Sequence, residues 1–277
     1  MADILYELPT LCTPYSHTHT LSHSPTHTLG IIFMTMNTER LYPVRIFCDF
    51  DGTISTEDIG YDLFDQYGEQ SPWHDQLVEG SLGIRDYWRE VAGTLKEPLT
   101  DDLLNAYLRT IPIDPDFVHL LDLVQSENVP FTVLSDGLSI YVNRYLSLHG
   151  FDDLDVVCNE AWNDEAGNLT IRFPYSADGC KCPSAVCKRN VVLTRSAPEE
   201  RIIYIGDGLS DFCPAETADI IFAKGNLAAY CNRNGLPHHS WKHLHEVVRE
   251  LKKLLARRRI RPRHQAEMVR KRVWESG

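Results

Sequence analysis

The sequence predicts an α/β fold: a doubly wound, mostly parallel sheet with a helical module inserted after its first strand. Three observations predict it. Short β-rich runs recur at 44–50 (VRIFCDF), 130–135 (PFTVLS), 155–158 (DVVC), 201–206 (RIIYIG) and 219–223 (DIIFA). They lack polar alternation, as strands buried on both faces of a parallel sheet do. Segments of helical periodicity lie between them, and that alternation defines a doubly wound α/β architecture. The stretch between the first two runs is also far longer than one crossover helix requires.

Each element follows from local signals. The insert, 56–113, reads as mostly helical (TEDIGYDLFDQYG, SPWHDQLVEGSLGIRDYWREVAGTL, TDDLLNAYLRTI). The helix over 114–128 takes Asp114 as N-cap and Pro115 at its first position. The next, 138–150, closes on Gly150 in the usual C-terminal place. Residues 159–173 read as a hairpin turning at Ala166, Gly167 and Asn168. The C-terminal segment begins as an amphipathic helix and is interrupted by Pro262. Its charges read as a solvated face, with a nuclear signal or polyanion-binding arm as the alternative. Residues 1–42 read as a disordered leader, because 16–28 (SHTHTLSHSPTHT) is polar, low in complexity and without hydrophobic periodicity. A His-rich tract of this kind can also bind metal.

Composition narrows the function classes. Of 277 residues, 43% are hydrophobic and 24% charged, ordinary values for a soluble globular chain. No run approaches the eighteen or so apolar residues of a membrane span, and 29–36 (LGIIFMTM) lacks the flanks of a secretion signal. A cytoplasmic location is the expectation, the nucleus being left open by the basic end. The net charge of −12 divides unevenly: 249–277 carries eleven Lys/Arg against three Asp/Glu, so 1–248 carries 16 against 36, or −20. An acidic body repels nucleic acid and anionic membranes. An anionic substrate would therefore need a local cation. The eight cysteines lack the framework spacing of a small secreted domain and read as free thiols.

The strand at 44–50 runs straight into two like charges. Asp49 and Asp51, at i and i+2, emerge on one side of its carboxyl end, and Gly52 lets the backbone turn closely there. In open α/β sheets that edge is where ligands bind. Two adjacent carboxylates stay ionised only beside a cation, and a hard ion such as Mg²⁺ suits them. A second pair, Asp207 and Asp211 in IGDGLSD, ends the strand at 201–206. Asp beside Gly is ordinary turn chemistry, but two such clusters at strand ends converge if the strands are neighbours. Ser135 in VLSDG offers a hydroxyl and nearby backbone N–H groups at a helix start, a natural anion seat. Lys188 in AVCKRN is a candidate point charge, although a lone lysine usually faces solvent.

Asp-x-Asp-x-Thr after a strand, then Ser after a strand, then Lys, then Gly-Asp-Gly-x-x-Asp resembles the haloacid dehalogenase-like phosphohydrolases over about 44–254. The insert resembles the helical cap of the subclass that includes phosphoserine phosphatase. The resemblance implies a Rossmann-like core (43–55 and 114–255), a cap (56–113) and a basic tail (256–277). It implies that Asp49 is the nucleophile and Asp51 the general acid and base. Mg²⁺ would be held by Asp49, the Asp51 carbonyl, Asp207 and, directly or through water, Asp211. Gly52, Thr53, Ser135, Asp136, Gly137 and Lys188 would bind phosphate. In that reading the chain is a phosphomonoesterase for a small phosphorylated metabolite. Receiver domains and ion-pumping ATPases share the phospho-aspartate chemistry, but neither fits the length, the cap and the missing membrane spans. A catalytically retired scaffold is the rival from another class.

Phe-Ala-Lys at 222–224, Cys231 and the following Leu-Pro resemble the subgroup acting on the methionine-salvage enol phosphate. GDGLSDFCP also resembles phosphoethanolamine/phosphocholine phosphatases. Within the cap, Asp58 lies where phosphoserine phosphatases place a substrate-contacting acid, and a helix N-cap is an equal reading. Arg85 would hold a substrate carboxylate or else form an exposed ion pair. Cys180, Cys182 and Cys187 would bind zinc with a fourth ligand from elsewhere, or stand as buried or redox-sensitive thiols. Their spacing lacks the paired C-x₂-C of structural sites.

Overall fold

Among the described residues, seven strands form one sheet: β1 (Val44–Cys48), β2 (Phe131–Leu138), β3 (Asp155–Asn163), β4 (Leu169–Arg172), β5 (Arg201–Gly206), β6 (Ile220–Ala223) and β7 (His239–Ser240). The computed structural model describes residues 41–177, 179–180, 182 and 184–276, so nearly all of the expected leader lies outside the described residues. The strand order is β4–β3–β2–β1–β5–β6–β7. All pairings are parallel except β3 with β4, the hairpin expected at 159–173. From β1 the chain winds outward through β2 and β3, then returns to place β5 on the other side of β1. That reversal opens a crevice at the carboxyl ends of β1 and β5.

Both faces of the sheet are buried, which explains the missing alternation. On β1, Ile46 and Cys48 join one apolar cluster while Phe47 joins the other; on β5, Ile203 and Ile205 oppose Ile202 and Tyr204. Helices α5 (Phe117–Ser126), α6 (Ser139–Leu148) and α10 (Leu244–Leu255) contribute to the first cluster. Helices α7 (Lys188–Arg195), α8 (Phe212–Thr217) and α9 (Gly225–Arg233) contribute to the second. Ile46 is fully buried, and its truncation to Ala would cost about 2–5 kcal/mol.

Between β1 and α5 lie four helices: α1 (Ile59–Tyr67), α2 (Trp73–Glu79), α3 (Ile84–Gly93) and α4 (Asp101–Leu108). The α1 N-cap is Asp58, whose carboxylate accepts from Tyr61 N, and the α4 N-cap is Thr100, accepting from Leu103 N. The two ends of this excursion are tied together by an antiparallel bridge, Ser55 with Ile113, and by Asp114 N donating to Ile54 O.

Three local expectations need correction. Helix α5 begins at Phe117, not beside Asp114, because the Asp114 carboxylate is used elsewhere. It accepts from Asp116 N at 2.9 Å and from Leu244 N at 3.1 Å, fastening the start of α10 to the start of α5. Strand β2 continues through Ser135, Asp136 and Gly137 to Leu138 instead of turning into a helix. Asn159 on β3 holds that stretch extended, donating to the carbonyls of Asp136 and Gly137. The third correction concerns the basic end. After the break at Pro262 comes α11 (His264–Ser276), and Arg270 is 3% exposed rather than solvated. Arg270 and Arg263 donate to the last carbonyls of α8, Ala215 through Ala218, and Arg270 pairs with Asp219 at 3.1 Å. Cations at a helix C-terminus satisfy carbonyls that have no intrahelical donor.

Candidate active site

Register brings the two acidic motifs together. Cys48 pairs with Ile205, so the residues that follow each strand lie side by side, and Asp49 N donates to Ile205 O at 2.8 Å. One oxygen each from Asp49, Asp207 and Asp211 falls within 4.8 Å of the others. Gly52 permits the approach. Its φ is +68°, and a Cβ there would collide with the Asp207 carboxylate. Thr53 Oγ1 donates to Asp207 Oδ1 at 3.2 Å, fixing the first motif against the second.

Lys188 overturns the ordinary preference of lysine for the surface. It is fully buried, and its Nζ donates to Asp49 and, at 2.7 Å, to Asp211 Oδ1. Burial works against the ammonium, yet Asp211 and Asp49 outweigh it and hold the lysine protonated above its usual range. Asp211 is saturated: Oδ1 also accepts from Tyr204 OH at 2.6 Å, and Oδ2 accepts from Asp207 N and Gly208 N. Its described bonds orient Lys188 and shape the loop, which favours an indirect relation to any cation over direct ligation.

The carboxyls left around that lysine are poorly solvated. Burial, then the neighbouring Asp211, pushes Asp49 well above the usual carboxylate range despite Lys188. Burial and Asp211 likewise raise Asp207 to about 6. Burial, then Asp58, raises Asp51. Oxygen donors crowded and starved of compensating charge fit a small hard cation. The clustered carboxylates of Asp49, Asp207 and Asp211 therefore fit a small hard cation such as Mg²⁺.

Asp51 Oδ1 accepts from Ile59 N at 3.0 Å, the first residue of α1, and its Oδ2 lies 3.5 Å from Ser135 Oγ. Ser135 is buried and accepts from Gly137 N at 2.9 Å. The structure thus gathers Asp49, Asp51, Gly52, Thr53, Ser135, Lys188, Asp207 and Asp211. The Asp136 carboxylate turns to another task, accepting from Val186 N at 2.6 Å and so fastening the loop before Lys188. Asp58 acts as the N-cap of α1 and faces Asp51 electrostatically. Arg85 is exposed in the first turn of α3.

Tyr204, Asn159 and Lys224 went unassigned in the sequence. Tyr204 hides in an apolar strand, and Asn159 reads as the start of a hairpin. Lys224 had a visible signal, a lysine directly after a strand: it lies at the carboxyl edge of the sheet, its charge partly offsets the rise that burial and Asp211 impose on Asp207, and it stacks its Nζ 4.2 Å from the Trp241 ring centroid.

Paired aspartates at the ends of adjacent parallel strands, joined by a buried lysine, fit the class that the family match and the curated relatives show: a HAD-like phosphatase, a phosphoric monoester hydrolase. The chain belongs to the family described as "Putative Phosphatase", which matches residues 44–255. It is similar to the 2-hydroxy-3-keto-5-methylthiopentenyl-1-phosphate phosphatase of Bacillus cereus, 27% identical over 216 residues, 76% of this chain and 97% of that one. It is also similar to the bifunctional enzyme MtnB/MtnX of Bacillus licheniformis, 29% identical over 74% of this chain but only 48% of that protein. In fold it matches a phospho-aspartyl intermediate analogue of phosphoserine phosphatase, with a TM-score of 0.55, 15% identity, and coverage of 76% and 99%. A probable phosphoserine phosphatase from Vibrio cholerae matches with a TM-score of 0.57 at 15% identity, covering 86% of this chain and 69% of that one. Among the described residues no helix is long and apolar enough to cross a membrane.

Proposed function

We propose that this phosphatase hydrolyses a small-molecule phosphomonoester through an aspartyl-phosphate on Asp49, and that its substrate is the methionine-salvage enol phosphate. The observation that carries the mechanism is the bonding of fully buried Lys188 to both Asp49 and Asp211 at the crevice between β1 and β5. The substrate rests on the relative from Bacillus cereus, nearly the whole length of which aligns with this chain. The likeness to phosphoserine phosphatases, at 15% identity, supports the fold.

The chemistry divides one hard displacement into two easier ones. An Asp49 carboxylate oxygen attacks phosphorus, and the ester P–O bond breaks as Asp51 gives its proton to the leaving oxygen. The raised pKa of Asp51 keeps that proton available. The resulting Asp51 carboxylate then takes a proton from water, which attacks phosphorus, releases phosphate and restores Asp49. Lys188 holds Asp49 in place and offers positive charge to the phosphoryl oxygens, and Ser135 supplies a hydroxyl. Mg²⁺, held by Asp49, Asp207 and the Asp51 carbonyl, would supply the charge that lets an anionic ester approach three aspartates. Helices α1–α4 act as the cap: they join the core through the Ser55–Ile113 bridge, and the first of them holds Asp51 through Ile59 N.

The test is phosphate release from the methionine-salvage enol phosphate, phosphoserine, phosphoethanolamine, phosphocholine and pyridoxal phosphate. Each is assayed with Mg²⁺ and with chelator, for wild type and Asp49→Asn. Metal-dependent release lost in Asp49→Asn, with the enol phosphate preferred, is the expected result. Release that survives the substitution overturns the mechanism, and preference for another ester overturns the substrate.

A further inference from the structure

Among the described residues, one cluster of side chains able to hold a metal lies outside the carboxylate site. The Sγ atoms of Cys180, Cys182 and Cys187 all lie within 4.8 Å of one another. A fourth cysteine comes from beyond Lys188 in the sequence and approaches one edge of this trio, its sulfur lying outside the set that are all within 4.8 Å of one another. Cys213, on α8 just past Asp211, places its Sγ 3.7 Å from that of Cys180. The sulfur of Cys182 interacts with those of Cys187, Cys213 and Cys180. A tetrahedral zinc thiolate site with Zn–S near 2.3 Å separates its sulfurs by about 3.8 Å. The thiols are free, so no disulfide accounts for the grouping.

We propose that Cys180, Cys182, Cys187 and Cys213 bind one structural Zn²⁺ ion. The surroundings suit such a site. Four thiolates around Zn²⁺ carry a net charge of −2, and the Arg189 guanidinium interacts with all four sulfurs. The N–H of Asn190, in the first turn of α7, donates to Cys187. Neighbours of this kind tune and orient metal ligands. On binding, each of the four S–H bonds loses its proton to solvent and is replaced by an S–Zn bond, with no change in oxidation state. Four closed ligands leave no open position for substrate, so the ion is structural.

Its place in the chain gives it a purpose. Cys187 immediately precedes Lys188, and Cys213 follows Asp211, the two residues whose side chains bond at 2.7 Å. A zinc clamp ties the loop before α7 to the start of α8 and holds that ion pair together from behind. The inference is independent of the substrate and of the phospho-aspartate.

The experiment measures metal content of the full chain, purified without a histidine tag or chelator, and the absorption of its cobalt-substituted form. One zinc per chain is expected, released by a thiol-directed mercurial. The cobalt form should show intense tetrahedral d–d bands with thiolate-to-metal charge transfer. That spectrum separates the site from the His-rich stretch at 16–28, whose imidazoles give no thiolate band. Since outer-shell changes alone cost about 10–100-fold in metal affinity, Cys213→Ser should weaken binding by at least about 100-fold. Cys180→Ser serves as a second variant if that one fails to fold, and Asp49→Asn should keep its zinc. Substoichiometric zinc with four freely titrating thiols overturns the proposal. So does a Cys180–Cys213 disulfide, bound iron in place of zinc, or a cobalt spectrum without thiolate bands.

Discussion

Replacing Lys188 by Met removes the one described cation bonded to both Asp49 and Asp211 while nearly keeping its volume. At 2.7 Å its attraction to Asp211 is about 6 kcal/mol for an effective dielectric of about 20. Desolvation of the three charged groups offsets much of that, and truncating one partner of a buried pair costs about 3–5 kcal/mol because the remaining charge stays buried. The assay is urea denaturation in chelator at pH 8 and at pH 5. The wild-type minus variant difference should be about 3–5 kcal/mol at pH 8. The sign with pH follows from Asp49, already raised by burial and by Asp211, and raised further once Lys188 is gone. A carboxyl whose folded pKa exceeds its unfolded value of about 4 stabilises the fold most below that value, and the benefit is lost as pH rises through the folded pKa. The variant's deficit should therefore shrink at pH 5. A deficit under about 1 kcal/mol, or one equal at both pH values, would refute the assignment of Lys188 as charge compensation for buried carboxylates.

Other outcomes follow from the same geometry. Gly52→Ala should cost about 1–2 kcal/mol for its left-handed backbone alone, and more by collision with Asp207; denaturation and phosphate release should both register it. Apparent Mg²⁺ affinity should fall about tenfold per pH unit below about 6, as Asp207 takes up a proton that competes with the ion; a flat metal titration between pH 5 and 7 would contradict this. Arg270→Ala should lower unfolding stability by about 3–5 kcal/mol, leaving Asp219 buried without its guanidinium, and Arg270→Lys should recover only part because it cannot fork between Thr217 O and Asp219. Beryllofluoride with Mg²⁺ should protect 56–113 from proteolysis if α1–α4 close over the crevice; an unchanged digestion pattern would argue against closure.

Much of the core was legible because its signals are local. A strand buried on both faces leaves an unbroken apolar run, and Asp49–Thr53 and Gly206–Asp211 each announce a turn at such a run's end. What the chain could not declare is adjacency. That β5 lies against β1, so that two acidic turns become one site, is a property of strand order. The environment of a side chain is likewise collective: Lys188 looks like any lysine until the sheet buries it between Asp49 and Asp211. The basic end misled for the same reason, since charge density suggests solvent while the bare carbonyls of α8 decide that Arg263 and Arg270 turn inward. The cysteines make the point most plainly. Spacing showed three and argued against a zinc site, whereas the fold brings Cys213 from another motif to stand beside Cys180. Local sequence determined which backbone turns and runs form; only tertiary packing decided which charges and sulfurs meet, because meeting depends on residues far apart along the chain.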